Sequence, residues 1–199
     1  MKDKPTDVNH RIAGRVRELR AAQGLSLDAL ARRSGVSRSM ISVIERGQSS
    51  PTASVLEKLA VAFGISLPAL FQVPPAARKS HNGPVSRRHQ QLEWQDPGSG
   101  YIRRDISPVG MPQPMQIVEV QFPPGARVAF ENAARHARVY QQIWLLGGRM
   151  DITVGYDKHR LRAGDCLAME LGRPTMFHNP TRESARYAIV IMSETPLRR

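Results

Sequence analysis

The sequence has little cysteine, few aromatic residues and no long apolar run. Cys166 is the single cysteine among 199 residues. This excludes an internal disulfide framework and is typical of a reducing cytoplasm. No stretch is apolar for the length needed to span a membrane, and the opening MKDKPTDVNH lacks the apolar core of a secretion signal. We therefore expect a cytoplasmic chain with no membrane partner, and we expect Cys166, which lies among apolar residues, to be a small core residue.

Acidic residues are also scarce, because 29 lysines and arginines face only 17 aspartates and glutamates. The excess is uneven: residues 1–91 hold 15 basic residues against six acidic ones, and the remainder holds 14 against 11. A basic surface attracts polyanions, and phosphate contacts supply much of the affinity of proteins for DNA. RNA and membrane surfaces would attract it too, so the charge only supports an assignment made on other grounds.

The N-terminal third has the apolar spacing of short helices. A first helix is predicted over residues 9–23, a fourth from Thr52 to Gly64 and a short fifth from Ser66. Between them, LSLDALARRSGVSRSMISVIERGQSS at residues 25–50 predicts two more helices joined by a tight turn.

The predicted pair has a cap at each critical position. Ser26 and Ser37 can cap the two helices, and Gly35 can end the first one in the left-handed conformation. The buried face of the second helix is expected to carry Met40, Ile41 and Ile44, and its other face Arg38, Ser39, Ser42 and Val43. This is the spacing of a helix-turn-helix, in which the start of the second helix reaches base edges. An ordinary helical hairpin is the alternative, since helix pairs with a glycine turn are common.

Residues 11–71 closely resemble the phage-repressor-like helix-turn-helix domain of the XRE regulator family, and the E-R-G-x-x-x-P-T run at residues 45–52 is specific to it. The resemblance implies an all-α, five-helix domain that binds double-stranded DNA, with a homodimer on a palindromic operator. The DNA-contact residues it assigns are Arg38, Ser39, Ser42, Val43, Ser37, Ser26, Leu27 and Arg46. Arg38 would pair with a guanine edge and Val43 would touch a thymine methyl. Leu27 replaces the glutamine common in the family at a phosphate-contact position.

The composition changes after the helical part. Residues 73–91, VPPAARKSHNGPVSRRHQQ, contain prolines, small residues and basic residues, which is typical of a linker. Beyond it, strand-like runs are separated by turn residues; they span 116–122, 141–146, 150–154, 166–169 and 186–192. We therefore predict a DNA-binding domain over 1–72, a linker over 73–91 and an all-β sandwich or barrel domain over 92–199.

Residues 116–192 are similar to the two motif regions of the cupin β-barrel, a jelly roll. The motif positions are kept by Gly125, Gly148, Gly164 and Asn179. The positions that hold a metal in many cupins fall on Ala134, His136, Gln141 and Thr175. Because alanine cannot ligate, and glutamine and threonine are poor transition-metal ligands, we predict no metal, no cofactor and no catalytic residues.

A barrel interior without metal still offers a pocket for a small molecule. Strand alternation and the motif positions give these inward candidates for ligand binding: His136, Gln141, Thr175, Phe177, Arg127 and Tyr140. The sequence therefore predicts a homodimeric transcriptional regulator that is not an enzyme, with a cupin domain that mediates dimerisation and senses an unknown small metabolite. By resemblance it is a repressor. Two alternatives stay open, an enzymatically active cupin and a purely structural, dimerising one.

Overall fold

The computed structural model describes residues 5–65, 67–71, 83–108, 115–132 and 138–193. Its N-terminal part contains four α-helices. They are α1 (Pro5–Ala22), α2 (Leu27–Ser34), α3 (Arg38–Glu45) and α4 (Ala53–Phe63). Within the described ranges, no helix has the length and apolar character needed to cross a membrane.

The helix ends follow from local sequence. The side-chain oxygens of Ser26, Ser37 and Thr52 each accept a hydrogen bond from the backbone N–H three residues on, at 3.1, 3.2 and 3.4 Å. Gly35 and Gly64 end α2 and α4 with φ angles of 68° and 72°, a conformation that favours residues without a Cβ. The predicted caps are confirmed.

Aliphatic side chains from all four helices form the core of this part, and its most buried members are Ile12, Val16, Leu30, Ile41, Ile44, Leu56 and Leu59. An ion pair also holds α3 against α1. The Arg20 guanidinium donates to both carboxylate oxygens of Glu45, at 2.6 and 2.8 Å, and Arg17 donates to the Glu45 backbone carbonyl at 2.6 Å. The orientation of α3 is therefore set from its buried side.

Two expectations for the helical part need correction. In place of a fifth α-helix there is a four-residue 3-10 helix, Leu67–Leu70. A 3-10 conformation is common for helical segments of only three or four residues. Met40 is not buried but 40% exposed, because Ile41 and Ile44 fill the narrow contact between α3 and its neighbours.

The C-terminal part is a double-sheet jelly roll. Its strands are β1 (Glu93–Gln95), β2 (Ile102–Asp105), β3 (Met115–Phe122), β4 (Arg127–Phe130), β5 (Val139–Gly147), β6 (Arg149–Val154), β7 (Asp157–Arg162), β8 (Cys166–Glu170), β9 (Thr175–His178) and β10 (Ala185–Ser193). One sheet has the order β1-β2-β3-β10-β5-β8 and the other β4-β9-β6-β7, with antiparallel pairing throughout. The five predicted strand runs are confirmed as β3, β5, β6, β8 and β10.

Cys166 is a further correction. It is exposed at the start of β8, where the half-buried side chains are its neighbours Leu167 and Met169. Successive side chains of a strand point to opposite faces, so the apolar neighbours of Cys166 in sequence do not surround it in space.

A chain of ring contacts links the helical part to the interior of the β-domain. Neighbouring centroids lie 5.6 to 6.3 Å apart along the series Phe71, Trp94, Tyr101, Phe122, Tyr187, Phe177 and Phe130. Because Phe177 and Tyr187 belong to different sheets, this series also marks where the two sheets face each other. The two parts of the chain therefore share a continuous apolar core.

Candidate functional site

The first candidate site is the exposed surface at the start of α3. Arg38 and Ser39 occupy the first turn of the helix and are exposed, and Ser37 caps it. The beginning of α2 lies beside them, since Arg38 Nε is 3.3 Å from Asp28 Oδ1. The remaining predicted contact residues extend this surface on both helices: Ser26, Leu27, Ser42, Val43 and Arg46.

The polar side chains of this surface contact one another in pairs that are exposed to solvent. The Arg38–Asp28 pair is about two-thirds exposed on both sides, at 65% and 62%, so it contributes little to stability. Arg46 donates to the Ser42 hydroxyl at 2.5 Å, and also to Gln48. Because these groups are exposed, they can exchange their present partners for phosphates or base edges without breaking a buried hydrogen bond.

The second candidate site is a cavity of about 60 Å³ in the β-domain, which Glu57 and Leu67 of the helical part also line. Most of its wall is apolar, and the apolar side chains include Val120, Phe122, Phe130, Met169, Phe177, Ile189 and Ile191. Polar groups come from Glu57, Tyr101, Arg103, Asn132, Gln141 and Tyr187. Such a combination is typical of small-molecule sites.

The cavity contains some of the predicted ligand residues and not others. Gln141 and Phe177 line it. Thr175 is buried behind the lining, where its hydroxyl accepts from Asn132 Nδ2 at 2.9 Å. Arg127 is exposed at the start of β4, and Tyr140 lies on the face of β5 opposite Gln141, so neither lines the cavity. His136 lies outside the described residues.

Of the four metal positions that the cupin resemblance implies, the structure describes Gln141 and Thr175, and neither residue fits a metal site. Gln141 offers a neutral amide, and the Thr175 hydroxyl is already hydrogen-bonded. Among the residues that the structure describes, no group of three or more histidine, cysteine, aspartate or glutamate side chains is placed to hold a metal ion. The other two expected metal positions, Ala134 and His136, lie outside the described residues.

Sequence reasoning missed two charged residues that line the cavity, Glu57 on α4 and Arg103 on β2. The Arg103 side chain is the better defined of the two. It is only 5% exposed and donates to Asp105 Oδ1 at 3.0 Å. Burial raises the pKa of Asp105, and the neighbouring Arg103 charge opposes that rise. Burial also raises the pKa values of Tyr101 and Tyr187, so both hydroxyls stay protonated at neutral pH. The only signal in the sequence was a short charged run, IRRD, which looks like a solvated segment.

Comparisons with known proteins match the helical part by itself and also most of the chain. The helix-turn-helix family model HTH_3 matches residues 16–70. The HTH-type transcriptional regulator PuuR of Escherichia coli K12 is 28% identical over 183 residues, covering 92% of this chain and 93% of PuuR. The regulator SutR of the same organism is 23% identical over 176 residues, covering 88% and 91%. Both likenesses therefore extend through the β-domain.

A solved structure has the same overall arrangement. The crystal structure of an HTH_3 family transcriptional regulator from Vibrio cholerae superposes with a TM-score of 0.74 and 24% identity, covering 96% of this chain and 100% of that one. At this identity the likeness concerns the fold, and it includes both the helical part and the double sheet.

Proposed function

We propose that this chain, whose residues 16–70 match the helix-turn-helix family model and which is similar to PuuR along most of its length, is a homodimeric repressor of the XRE family that releases or retains a palindromic operator according to a small metabolite bound in the β-domain. The observation that carries the proposal is the exposed first turn of α3 on a rigid support. Ligand control requires that the metabolite bind the DNA-bound and free states with different affinities.

The DNA half of the proposal rests on α3. Arg38 and Ser39 are the residues assigned to base edges, with Ser42 and Val43 next along the helix, while Ser26, Leu27, Ser37 and Arg46 are assigned to the DNA around them. Two copies would occupy half-sites about one helical turn apart.

The dimeric state is supported by apolar side chains on the outer face of the six-stranded sheet. Met115, Ile117 and Trp144 are 51%, 42% and 53% exposed. They lie on β3 and β5, on either side of β10, whose Val190 is opposite Ile117 and whose Ala188 is opposite Trp144. Exposed apolar patches of this kind commonly mark protein–protein contacts.

The dimer can be tested by replacing Trp144 with serine and measuring molar mass across a dilution series. We expect Trp144→Ser to dissociate at higher concentration than the unchanged protein. Tyr156→Ser is a matched control, because Tyr156 is fully exposed in the β6–β7 turn, away from this face. A monomeric unchanged protein, or equal dimer stability in all three, would contradict the proposed interface.

Operator recognition can be tested by selecting binding sites from a random DNA library with the full chain. We expect enrichment of an imperfect palindrome, and loss of that enrichment with Arg38→Ala. Arg160→Ala, on exposed β7, should select the same sites as the unchanged protein. If no sequence is enriched, the chain is not a sequence-specific regulator of the kind proposed.

The sensing role, and with it the proposal that the chain is not an enzyme, can be tested by thermal shift with a metabolite and metal panel, with and without chelator. A ligand that binds only the folded state, present at a hundred times its dissociation constant, adds about 2.7 kcal/mol to the free energy of unfolding. A metabolite shift that chelator does not affect is expected. A shift that needs metal would favour an enzymatic cupin, and no shift with any compound would favour a structural barrel.

A further inference from the structure

The helical part and the β-domain are joined by polar contacts as well as by a shared apolar core. Asp96, in the turn between β1 and β2, accepts a hydrogen bond at Oδ1 from the backbone N–H of Ala53, at 2.8 Å. Ala53 is the first residue of α4, so this carboxylate lies at the positive end of the helix. The β-domain therefore caps a helix of the other domain, in addition to the cap that Thr52 supplies from within that domain.

The turn that carries Asp96 fits closely against the start of α4. The second carboxylate oxygen of Asp96 accepts from the backbone N–H and the hydroxyl of Ser99, at 2.7 and 2.6 Å. Gly98 of the same turn lies so near the helix that a Cβ atom there would be 3.3 Å from Thr52 Cγ2. Because both carboxylate oxygens are hydrogen-bonded and the gap is narrow, the turn holds the start of α4 in one position.

A second contact lies one helical turn further along α4. The buried carboxylate of Glu57 accepts at Oε1 from the backbone N–H of Asn132, at 3.1 Å. Asn132 follows β4 in the left-handed conformation, with φ of 45°, and its side chain donates to the Thr175 hydroxyl on β9 at 2.9 Å. This contact ties α4 to the four-stranded sheet, whereas the contact at the start of the helix ties it to the six-stranded one.

A third contact follows α4 in the chain. The ring of Phe71 packs against Trp94 on β1, with centroids 5.6 Å apart, and the Arg103 guanidinium lies 5.0 Å from the Phe71 centroid on another side. The three contacts are thus at the start of α4, one turn along it and beyond its end. The helix cannot swing about any one of them without breaking another.

Helix α3 belongs to the same packed unit as α4. Leu56 of α4 is buried in one core with Ile41 and Ile44 of α3, and Arg20 of α1 pairs with Glu45 at the end of α3. The direction in which α3 projects is therefore fixed relative to the β-domain. The β-domain in turn carries the apolar face proposed to join the two protomers.

We propose that Asp96 and Glu57 are positioning residues for operator recognition. By holding α4 on the β-domain, they fix the distance and angle between the two α3 helices of the dimer, and so determine which half-site spacing the protein accepts. Both act through α4 and neither contacts DNA. This inference rests on the proposed dimer and palindromic operator, and it specifies what sets the spacing. A freely flexible connection between the domains would instead tolerate many spacings.

Binding of the full chain to a series of DNA fragments tests the spacing requirement. Each fragment carries the two half-sites selected from the random library, with their separation changed in single steps up to about five base pairs, or half a helical turn. A fragment with one half-site is the reference. We expect affinity to fall at least about tenfold at half a turn, because only one half-site can then be occupied.

The reference fragment distinguishes failure of the inference from failure of the proposed function. If the paired half-sites bind more tightly than the single one at every spacing, the domains are flexibly joined; the inference is then overturned and the palindromic operator stands. If paired half-sites never bind more tightly than the single one, dimeric recognition fails, and the inference fails with it.

The double variant Asp96→Ala with Glu57→Leu tests the two residues, since leucine keeps much of the glutamate volume without its acceptor. We expect the half-site sequence preference to remain, and the affinities at the selected and half-turn spacings to come within about threefold of each other. A merely structural role would lower affinity at all spacings by the same factor and leave their ratio unchanged.

Thr52→Val is the matched control, because it removes the other cap of α4 without removing a hydrogen bond to the β-domain. It should discriminate between spacings as the unchanged protein does. Full discrimination in the double variant, or an equal loss of discrimination in Thr52→Val, overturns the proposal.

Gly98→Val keeps the proposal testable if the double variant does not fold as a dimer. Its side chain would force the turn away from Thr52 and should reduce the spacing discrimination several-fold. Gly172→Val is the control, since Gly172 is exposed and a Cβ there would meet no heavy atom of the described residues within 4 Å. Equal discrimination in these two variants, both folded and dimeric, overturns the proposal.

Discussion

The start of α3 and the cavity of the β-domain are built in opposite ways. All eight residues assigned to DNA lie within 26–46, on two helices adjacent in the sequence, and their side chains are exposed or half-buried. The cavity draws its lining from residues between 57 and 191, on two sheets and two helical segments, and its polar groups are largely buried.

Because of this difference, substitutions in the two regions should differ in how they affect folding and binding. Exposed residues that cap no helix, such as Arg38, can change with little effect on folding, so their substitution should affect binding alone. Ser26 and Ser37 are exceptions, because they also cap their helices. Residues around the cavity serve folding and recognition together, because each is packed against several other elements. The following predictions test that separation, from the largest expected effect to the smallest.

Removal of a cavity ring should be the most costly change. Phe177 is 5% exposed and contacts Phe130 and Tyr187 across the interior. Phe177→Ala should lower the free energy of unfolding by about 3–4 kcal/mol, as for other buried aromatic residues. Denaturant unfolding measures this, and Phe177→Leu should lose less. If folded Phe177→Ala also selected different operator sequences, the two regions would not be separable.

The ion pair between Arg20 and Glu45 lies on the buried side of α3. Breaking it tests how far the DNA-contact surface depends on interactions that also stabilise the fold. Arg20→Met leaves the Glu45 carboxylate buried without its main partner, and should cost about 2–3 kcal/mol of folding free energy. The figure lies below that for a fully buried pair because Arg20 is 21% exposed.

Two further variants control this prediction, again by denaturant unfolding. Arg20→Met combined with Glu45→Met should recover much of the loss, because no unpaired charge remains. Arg32→Met, on the exposed end of α2, should be nearly neutral. If the single variant were as stable as the unchanged protein, Glu45 would have another adequate partner.

Arg38→Ala should affect DNA binding and not folding. Loss of a bidentate base contact costs about 1–3 kcal/mol and relaxes the preference at one operator position. Binding titrations at fixed salt, together with thermal unfolding, measure both properties. An Arg38→Ala protein with unchanged affinity and preference would show that Arg38 does not read bases.

His178 should give the smallest effect, and only on folding. Its pKa is lowered by burial and by the Arg127 and Lys158 charges, which Asp151 partly opposes. The unfolded chain therefore takes up a proton at this position near pH 6.5 that the folded chain does not, so stability falls as the pH drops through that value. His178→Gln should make the fall shallower. An equal slope in both proteins would contradict this.

Much of the helical part was predictable because its signals are local. Ser26, Gly35, Ser37 and Thr52 act on backbone groups within a few residues, so their roles can be read along the chain. Met40 was misplaced because burial depends on how closely a neighbouring helix approaches, which helical spacing alone does not specify.

Strand prediction succeeded where a run was long and apolar on one side, as in β3, β5 and β10. Strand alternation also predicted that Gln141 faces the interior, and the structure has it in the cavity wall. It could not identify Arg103, because a charge inside a barrel looks like a solvated charge until the other sheet covers it.

By itself, the sequence determined the helix caps, the alternation of the long strands and the helix-turn-helix spacing, because these depend on contacts between near neighbours. Only the tertiary structure decided that Glu57 and Leu67 of the helical part line the cavity of the β-domain, and that the charged residue Arg103 lines it too. These juxtapositions join residues far apart in the chain, so they arise when the domains pack together and leave no periodic pattern in the sequence.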